Sequence, residues 1–150
     1  MRHFIIDGNN LMGKIPALFK LQKKDGQSSR EKLSFILESY FINKKNNKVS
    51  LHFDGFVNQA IRASKLKIIY SGKRSADDEI KHEIEIEKNR RNLIIVTSDH
   101  NILQFARVCG CEIKTSEEFS KEIMSRTLED EEKKREDGIN NDEIKRLFDV

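Results

Sequence analysis

Five short apolar segments alternate along the chain with stretches in which apolar residues recur at helical spacing. Four of the five end in turn-forming residues such as Asp-Gly or Ser-Gly, which is typical of β-strands that run into loops. The predicted strands are residues 3–6, 49–53, 65–70, 93–96 and 112–114. Strands separated by helices favour right-handed crossovers and a parallel sheet with helices on both faces. The pattern therefore predicts an α/β fold with a mainly parallel central sheet.

Most of the predicted helices start at a serine, whose hydroxyl can accept a hydrogen bond from the first helical turn. The predicted starts are Ser28 or Ser29, Ser75, residue 101 and Ser116. The cluster Asp7-Gly8-Asn9-Asn10 consists of turn formers, and it is predicted as a loop after the first strand.

The chain has 150 residues, the size of one typical domain, and its hydrophobic fraction of 37% is enough for a core. Residues 1–126 carry 23 basic and 16 acidic side chains, whereas residues 127–150 carry 5 and 9. We therefore predict a domain at 1–126, followed by a charged segment and a C-terminal helix at 140–150 that docks on the domain or on a partner. The basic domain suggests a polyanionic partner, although a solvated surface would explain the same charge.

No apolar run approaches 18 residues, and the first residues lack the apolar core of a signal peptide. Cys109 and Cys111 are separated by one glycine, which is poor spacing for a disulfide and too few ligands for zinc. We expect a cytoplasmic protein in which both cysteines are small buried residues.

Aspartates recur where predicted strands end. Asp7, Asp54 and Asp99 follow the last apolar residue of a strand directly or within three residues, and Asp77 and Asp78 begin the helix after the third strand. Because parallel strands end at one edge of the sheet, these side chains are expected to converge on a common cleft. Taken singly, each aspartate is also explained as a turn former or a helix cap.

Several carboxylates in one cleft repel each other unless a cation compensates their charge. Oxygen ligands without accompanying cysteine or a pattern of histidines select Mg²⁺ or Mn²⁺ over zinc. Such ions activate water for attack on a phosphodiester. Polar side chains that could orient metal-bound water or phosphate follow two of the strands, at Asn9, Asn10, Thr97 and Ser98.

Four motifs occur in the order found in a known family: Ile-Ile-Asp-Gly-Asn-Asn-Leu at 5–11, Phe-Asp-Gly at 53–55, Ser-Ala-Asp-Asp-Glu-Ile at 75–80 and Ile-Val-Thr-Ser-Asp at 95–99. They resemble the NYN branch of the PIN-like nucleases, particularly the bacterial YacP-like group of predicted RNA-binding proteins. The resemblance runs from residue 2 to about 125, and the tail also looks like the terminal helix of that group. His100-Asn101 departs from the pattern, because relatives often carry a further charged residue there.

The resemblance implies a three-layer α/β/α sandwich and a metal-dependent endoribonuclease. It implies that the catalytic and metal-binding residues are Asp7, Asp54, Asp77 and Asp99, with Asp77 a better match than Asp78. We expect Mg²⁺ or Mn²⁺ as cofactor and RNA as partner, with ribosome association and oligomer formation open. Ligand-orienting and phosphate-holding roles are expected for Asn10, Ser98, Lys73 and Arg74.

Two other functions are alternatives to the endoribonuclease. A catalytically silent RNA- or ribosome-binding module would keep the same fold and acidic pocket. A phosphatase would require a phosphate-accepting Asp-x-Asp motif, which Asp7-Gly8-Asn9 does not supply.

The remaining polar and aromatic residues have open interpretations. Phe56 either packs in the core, as Phe most often does, or stacks on a base. His100 either begins a helix or contacts phosphate, and His52 and His82 are expected to be packing or surface residues. An RNA path or a solvated face would each explain Lys14, Lys20, Lys23 and Lys24.

Overall fold

The structure of the chain, a computed structural model, describes residues 1–125. Its elements in order are β1 (Arg2–Asp7), α1 (Gly8–Met12), α2 (Pro16–Lys24), α3 (Gly26–Phe41), β2 (Asn47–Phe53), β3 (Leu66–Tyr70), α4 (Ala76–Ile86), a 3-10 turn (Arg90–Asn92), β4 (Leu93–Val96), α5 (His100–Val108), β5 (Glu112–Lys114) and α6 (116–125). All five predicted strands are present within about two residues of their expected bounds.

The described residues form one five-stranded sheet in the order β3-β2-β1-β4-β5, and every pair of neighbours is parallel. The first strand lies in the centre, with Asp7 opposite His52 of β2 and Ile6 opposite Val96 of β4. Because all strands point the same way, the residues that follow them share one edge of the sheet. The predicted parallel α/β architecture is confirmed.

Alternate residues of β1 pack on opposite faces of the sheet. Phe4 and Ile6 belong to a core that also contains buried residues of α1, α2, α3 and α6. Ile5 belongs to a second core with Ile80 of α4 and Ile102 of α5. A period of two in the strand thus produces the two apolar interfaces of a three-layer sandwich.

The segment after β1 is helical rather than the predicted loop. Asp7 caps α1 by accepting a hydrogen bond from the Asn10 backbone N–H at 3.3 Å, so turn formers here start a helix. Gly8 lets α1 begin against β2, because a Cβ atom at this position would lie 2.6 Å from the carbonyl oxygen of His52. The second helix, α2, begins with Pro16 at its first position, where proline needs no hydrogen-bonded N–H.

Two helix caps differ by a few residues from the serines expected. The cap of α3 is Asp25, whose carboxylate accepts from the Ser28 N–H at 3.2 Å, and α3 therefore begins at Gly26. Before α6, the Thr115 hydroxyl accepts from the Glu118 N–H at 3.1 Å. Ser75 caps α4 as predicted, with the Asp78 N–H at 3.1 Å from its hydroxyl.

The connection from β2 to β3, residues 54–65, runs along α3. Arg30 of α3 donates to the carbonyl oxygens of Asp54 and Phe56. Further along the helix, the Glu38 carboxylate accepts from the backbone N–H groups of Ser64 and Lys65 at 3.0 and 2.8 Å. The loop that follows Asp54 is thus fixed by side chains of a neighbouring helix.

Cys109 and Cys111 are free thiols and only half-buried, so the prediction that they are buried is wrong. They lie at and just after the C-terminal end of α5, where packing is incomplete. No helix within residues 1–125 is long and apolar enough to cross a membrane. The predicted charged segment at 127–150 and its helix at 140–150 lie outside the described residues.

Candidate active site

Four aspartates predicted from the sequence line one cleft at the C-terminal edge of the sheet. The cleft has a volume of about 290 Å³. The aspartates that line it are Asp7, Asp54, Asp77 and Asp99. They come from the end of β1, the end of β2, the first turn of α4 and the cap of α5. Asp78, the neighbour of Asp77, is exposed and is not among the residues that line the cleft in the described part of the chain.

Asp7 is the most buried of the four, with 8% of its surface exposed. Its carboxylate accepts hydrogen bonds from the Thr97 hydroxyl at 3.0 Å and from the Asn10 N–H at 3.3 Å. Burial, with smaller contributions from the negative charges of Asp54 and Asp99, nevertheless raises the pKa of Asp7 to about 6. Burial of Asp7 therefore disfavours the negative charge that a metal-binding carboxylate carries. A bound cation would offset this penalty.

Asp54 and Asp77 are connected through the start of α4. One carboxylate oxygen of Asp54 accepts from the Ala76 N–H at 2.7 Å. The Oδ2 atom of Asp77 lies 3.6 Å from the Lys81 ammonium, one helical turn away. Its Oδ1 atom is buried and has no hydrogen-bond partner among the residues that the structure describes. An unpaired buried carboxylate oxygen is costly, and a bound cation would satisfy it.

Asp99 caps α5 with one carboxylate oxygen. Its Oδ1 atom accepts from the Asn101 and Ile102 N–H groups at 2.9 and 3.1 Å. The Asp99 N–H donates to the Thr97 hydroxyl at 3.1 Å, and that hydroxyl donates to Asp7. Thr97 therefore links two of the four aspartates, and it is fully buried.

Two adjacent asparagines tie the strand ends together. The side-chain oxygen of Asn9 accepts from the Asp54 N–H at 2.9 Å. That of Asn10 accepts from the Ser98 N–H at 2.9 Å and from the Ser116 hydroxyl at 2.6 Å. Both asparagines line the cleft. The Asn10 oxygen is thus occupied within the protein, which leaves its amide nitrogen as the group that could face a ligand.

The other predicted site residues, Ser98, Lys73 and Arg74, are not among the described residues that line the cleft. The Ser98 hydroxyl donates to Glu117 and accepts from the Ser116 N–H at 3.0 Å, so it is engaged within the fold. Hydrogen bonds from this hydroxyl and from Lys14 lower the pKa of Glu117 to about 2. Lys73 and Arg74 are exposed in the loop before Ser75, which does line the cleft, and Arg74 lies 3.3 Å from Glu79.

The donor set of the cleft suits a hard cation that keeps part of its water shell. Within residues 1–125, no three acidic, histidine or cysteine side chains lie close enough to coordinate one ion together. Mg²⁺ typically retains several waters and binds one or two carboxylates. The unpaired Asp77 oxygen and the buried Asp7 carboxylate therefore fit an ion held in part through water.

The residues whose interpretation was left open have defined surroundings in the structure. Phe56 is 65% exposed, so packing in the core is wrong for this residue. His100 is exposed at the first position of α5. Lys14 forms an ion pair with Glu117 at 3.0 Å, whereas the Lys23 ammonium lies 4.3 Å from the centre of the Phe19 ring.

A buried polar cluster under α4 was not predicted. The Glu83 carboxylate accepts from Ser50 at 2.7 Å, lies 2.7 Å from Nε2 of His52 and 3.3 Å from Nε2 of His3. These hydrogen bonds lower the pKa of Glu83 despite its burial. Glu83 lies three residues after the buried Ile80, so helical spacing alone could have placed it on the face toward the sheet.

Comparisons with known proteins agree with this architecture. A family model described as the YacP-like NYN domain matches residues 4–148. A crystal structure of Rae1 (YacP) from Bacillus subtilis, in a tryptophan-to-leucine mutant, is similar with a TM-score of 0.74 and 19% identity, covering 98% of this chain and 92% of that one. Another crystal structure of Rae1 (YacP) from Bacillus subtilis gives a TM-score of 0.76 and 21% identity, covering 91% and 81%.

A search of curated proteins found no match. The match to the family model extends over nearly the whole chain, and the solved structures share its fold. The predicted resemblance is confirmed, and so is the α/β/α sandwich. The chain therefore belongs to the YacP-like NYN domain family, which has a PIN-like nuclease fold.

Proposed function

We propose that this chain is a metal-dependent endoribonuclease that cleaves phosphodiester bonds within RNA. The observation that carries the proposal is that four aspartates from four separate elements line one cleft at the edge of the sheet. In open parallel α/β sheets this edge is the place where ligands bind. Membership of a family with a nuclease-like fold supports the same activity.

Asp7, Asp54, Asp77 and Asp99 would hold Mg²⁺ or Mn²⁺ in the cleft, in part through bound water. When bound, the ion supplies Lewis-acid activation of water and stabilises the charge that develops on the phosphate. The asparagines and Thr97 hold the aspartates in place, because their hydrogen bonds connect the ends of β1, β2 and β4. In this account Ser98 contributes by fixing Asn10 through its backbone N–H.

The charge around the cleft supports a polyanionic substrate. Lys73 and Arg74 are exposed two residues and one residue before Ser75, at the rim of a cleft whose floor is acidic. Cations at the rim would hold the phosphates that flank the scissile bond, while the acidic floor holds the metal. A cytoplasmic location stays a prediction, and the oligomeric state stays open.

The test is cleavage of a labelled single-stranded RNA by the purified chain in Mg²⁺, in Mn²⁺ and in EDTA. Wild-type protein should cleave with either metal and stop in EDTA. Asp77→Asn should lose activity by at least about 100-fold, because it removes one charge from the metal site. Asp78→Asn is the matched control, since Asp78 is the adjacent residue outside the cleft, and it should keep full activity.

A catalytically silent RNA- or ribosome-binding module is the second candidate. One observation favours it: in the described residues, no three potential ligands are gathered closely enough to hold an ion directly. The same assay separates the two functions. Wild-type protein that binds the RNA but leaves it intact in both metals would establish the binding module and refute the nuclease.

A further inference from the structure

An exposed aromatic residue, Phe56, lies in the loop between a residue that lines the acidic cleft and a residue that lines a second cavity. Asp54, Phe56 and Asn58 alternate along the loop that follows β2. Asp54 lines the acidic cleft, Asn58 lines the second cavity, and 65% of the surface of Phe56 is exposed. An extended RNA strand that runs from one cavity to the other along this loop would pass the ring of Phe56.

The loop keeps its shape without help from this ring. The Gly55 N–H donates to the Ser71 hydroxyl at 2.9 Å, and the Gly72 N–H donates to the Gly55 carbonyl at 2.8 Å. Arg30 donates to the Phe56 carbonyl oxygen at 3.1 Å. Gly55 has a φ of +86°, which favours glycine and fixes the turn between Asp54 and Phe56. The hydrogen bonds that fix this loop therefore do not involve the side chain of Phe56.

The ring nevertheless lies beside the start of the loop that leads to the rim of the cleft. A Cβ atom built at Gly72 would lie 3.7 Å from Cε1 of Phe56, so the ring edge lies beside this glycine. Gly72 precedes Lys73 and Arg74, the cations at the rim. An exposed ring next to cations is the combination with which proteins bind single-stranded nucleic acid without reading its sequence.

The second cavity differs from the acidic cleft in chemistry. Its volume is about 460 Å³, and the polar groups that line it include Gln22, Lys24, Arg30 and Asn58. Asn9 lines both cavities, so the two adjoin. Asp25 also lines this cavity, but its carboxylate accepts hydrogen bonds from Ser28 as the cap of α3. Amide and cationic groups suit the edge of a base and a phosphate, whereas the acidic cleft suits a metal.

We propose that Phe56 and the second cavity form a subsite for one unpaired nucleotide of single-stranded RNA, next to the phosphodiester in the acidic cleft. The base stacks on the ring of Phe56, and the adjoining phosphate lies toward Lys24 in the second cavity. The subsite deepens the endoribonuclease proposal and rests on it for the position of the cleaved bond. It requires an unpaired base, because a base within a duplex has no free face to stack on a side chain.

Binding of a fluorescent single-stranded RNA of about ten nucleotides in EDTA tests the subsite without cleavage. Phe56→Ala should weaken binding by roughly 5- to 150-fold, the fold-change that corresponds to the stacking of one base. Phe56→Trp should keep the affinity, because it keeps the stacking surface. Phe35→Ala is the matched control, since Phe35 of α3 is also an exposed phenylalanine, with 45% of its surface exposed. This variant should bind like wild-type protein.

A set of RNAs that each lack one base gives a sharper comparison. Wild-type protein should lose affinity at one abasic position, and Phe56→Ala should be insensitive to the missing base at that position. Lys24→Gln should weaken binding and reduce the slope of log affinity against log salt by about one, which Lys121→Gln on α6 should not do.

Three outcomes decide the subsite, and the first two also separate it from the nuclease. Equal binding by Phe56→Ala and wild-type protein overturns the subsite even if the wild-type protein cleaves RNA in Mg²⁺. A loss of binding in Phe56→Ala, together with an absence of cleavage by wild-type protein, supports the subsite and refutes the nuclease. An equal effect of Phe56→Ala on a duplex of the same sequence also overturns the subsite, because the bases are then paired.

Discussion

The Ala76 backbone N–H donates to a carboxylate oxygen of Asp54 at 2.7 Å. This hydrogen bond joins the end of β2 to the first turn of α4, and it places Asp54 beside the residue that precedes Asp77. Asp54 therefore has two roles that can be separated. One carboxylate oxygen accepts a hydrogen bond from the start of α4, and the carboxylate adds negative charge to the cleft.

Replacing Asp54 in two ways distinguishes these roles. Asp54→Asn keeps an oxygen that can accept from Ala76, so its free energy of unfolding should stay near that of wild-type protein. Asp54→Ala removes the acceptor and should lower the free energy of unfolding by about 1 kcal/mol. Both variants should lose RNA cleavage, because both lose the charge. Urea unfolding measures the stability, and equal stability of the two variants would contradict the stabilising role of the hydrogen bond from the Ala76 N–H.

Asp7→Asn should stabilise the metal-free protein at neutral pH. The pKa of Asp7 is raised from 3.8 to about 6, mainly by burial, so the folded state loses stability as pH rises from about 4 to 6. Removing the charge should therefore raise the free energy of unfolding at pH 7 by up to about 3 kcal/mol in EDTA. At pH 3 the difference should vanish.

Mg²⁺ should reduce the difference in stability between Asp7→Asn and wild-type protein. Wild-type protein should gain stability, because an ion that binds only the folded state stabilises it. Asp7→Asn should gain less and should not cleave RNA. A variant that is less stable than wild-type protein in EDTA at pH 7 would contradict the burial penalty assigned to Asp7.

Glu83→Gln should destabilise the protein at neutral pH by about 2 kcal/mol, because the carboxylate accepts from Ser50 and pairs with two histidine rings. Hydrogen bonding lowers the pKa of Glu83 below its ordinary value of 4.5. Its contribution is therefore complete above pH 4.5 and is lost as pH falls through the lowered value in the folded state. Thermal unfolding across this range should show the gap between the variant and wild-type protein closing toward acid.

A matched control for this cluster is Glu85→Gln, since Glu85 lies on the exposed side of the same helix. It should change the stability by less than about 0.5 kcal/mol at any pH. If Glu83→Gln behaved like Glu85→Gln at pH 7, the buried cluster would not hold α4 against the sheet.

Asn10 offers a test of structural against ligand-binding roles. Its side-chain oxygen accepts from the Ser98 N–H and the Ser116 hydroxyl, so Asn10→Ala should lower the free energy of unfolding by roughly 1–3 kcal/mol. Asn10→Asp keeps an acceptor but lacks the amide nitrogen. It should cleave RNA poorly, because it lacks that nitrogen and adds a further negative charge to the cleft. Full activity in Asn10→Asp would restrict Asn10 to the fold.

The strand ends and the meeting of the aspartates could be predicted, because both follow from local patterns. An apolar run that ends in Asp-Gly predicts a strand end, and parallel strands bring their ends together. Helix α1 was missed because the turn formers at 7–10 also suit a helix start, and the choice depends on contacts with β2. The partners of Glu83 could not be predicted, since His3 and His52 are distant in the chain.

The exposed position of Phe56 also depends on distant contacts. Its apolar side chain favours burial, but the backbone of the loop is fixed by Arg30 from α3 and by Ser71 after β3. These hydrogen bonds hold the turn in a shape that leaves the ring at the surface. A sequence pattern gives the polarity of a residue, whereas such tertiary hydrogen bonds decide where its side chain lies.

The central claim is that the cleft lined by Asp7, Asp54, Asp77 and Asp99 holds a divalent ion. A crystal soaked in Mn²⁺ and measured for anomalous scattering tests this claim most directly. We expect an anomalous peak inside the cleft, next to the Asp77 carboxylate, and we expect it to be absent from crystals of Asp77→Asn. A cleft without a peak at saturating Mn²⁺, in crystals of a protein that still cleaves RNA, would contradict the account.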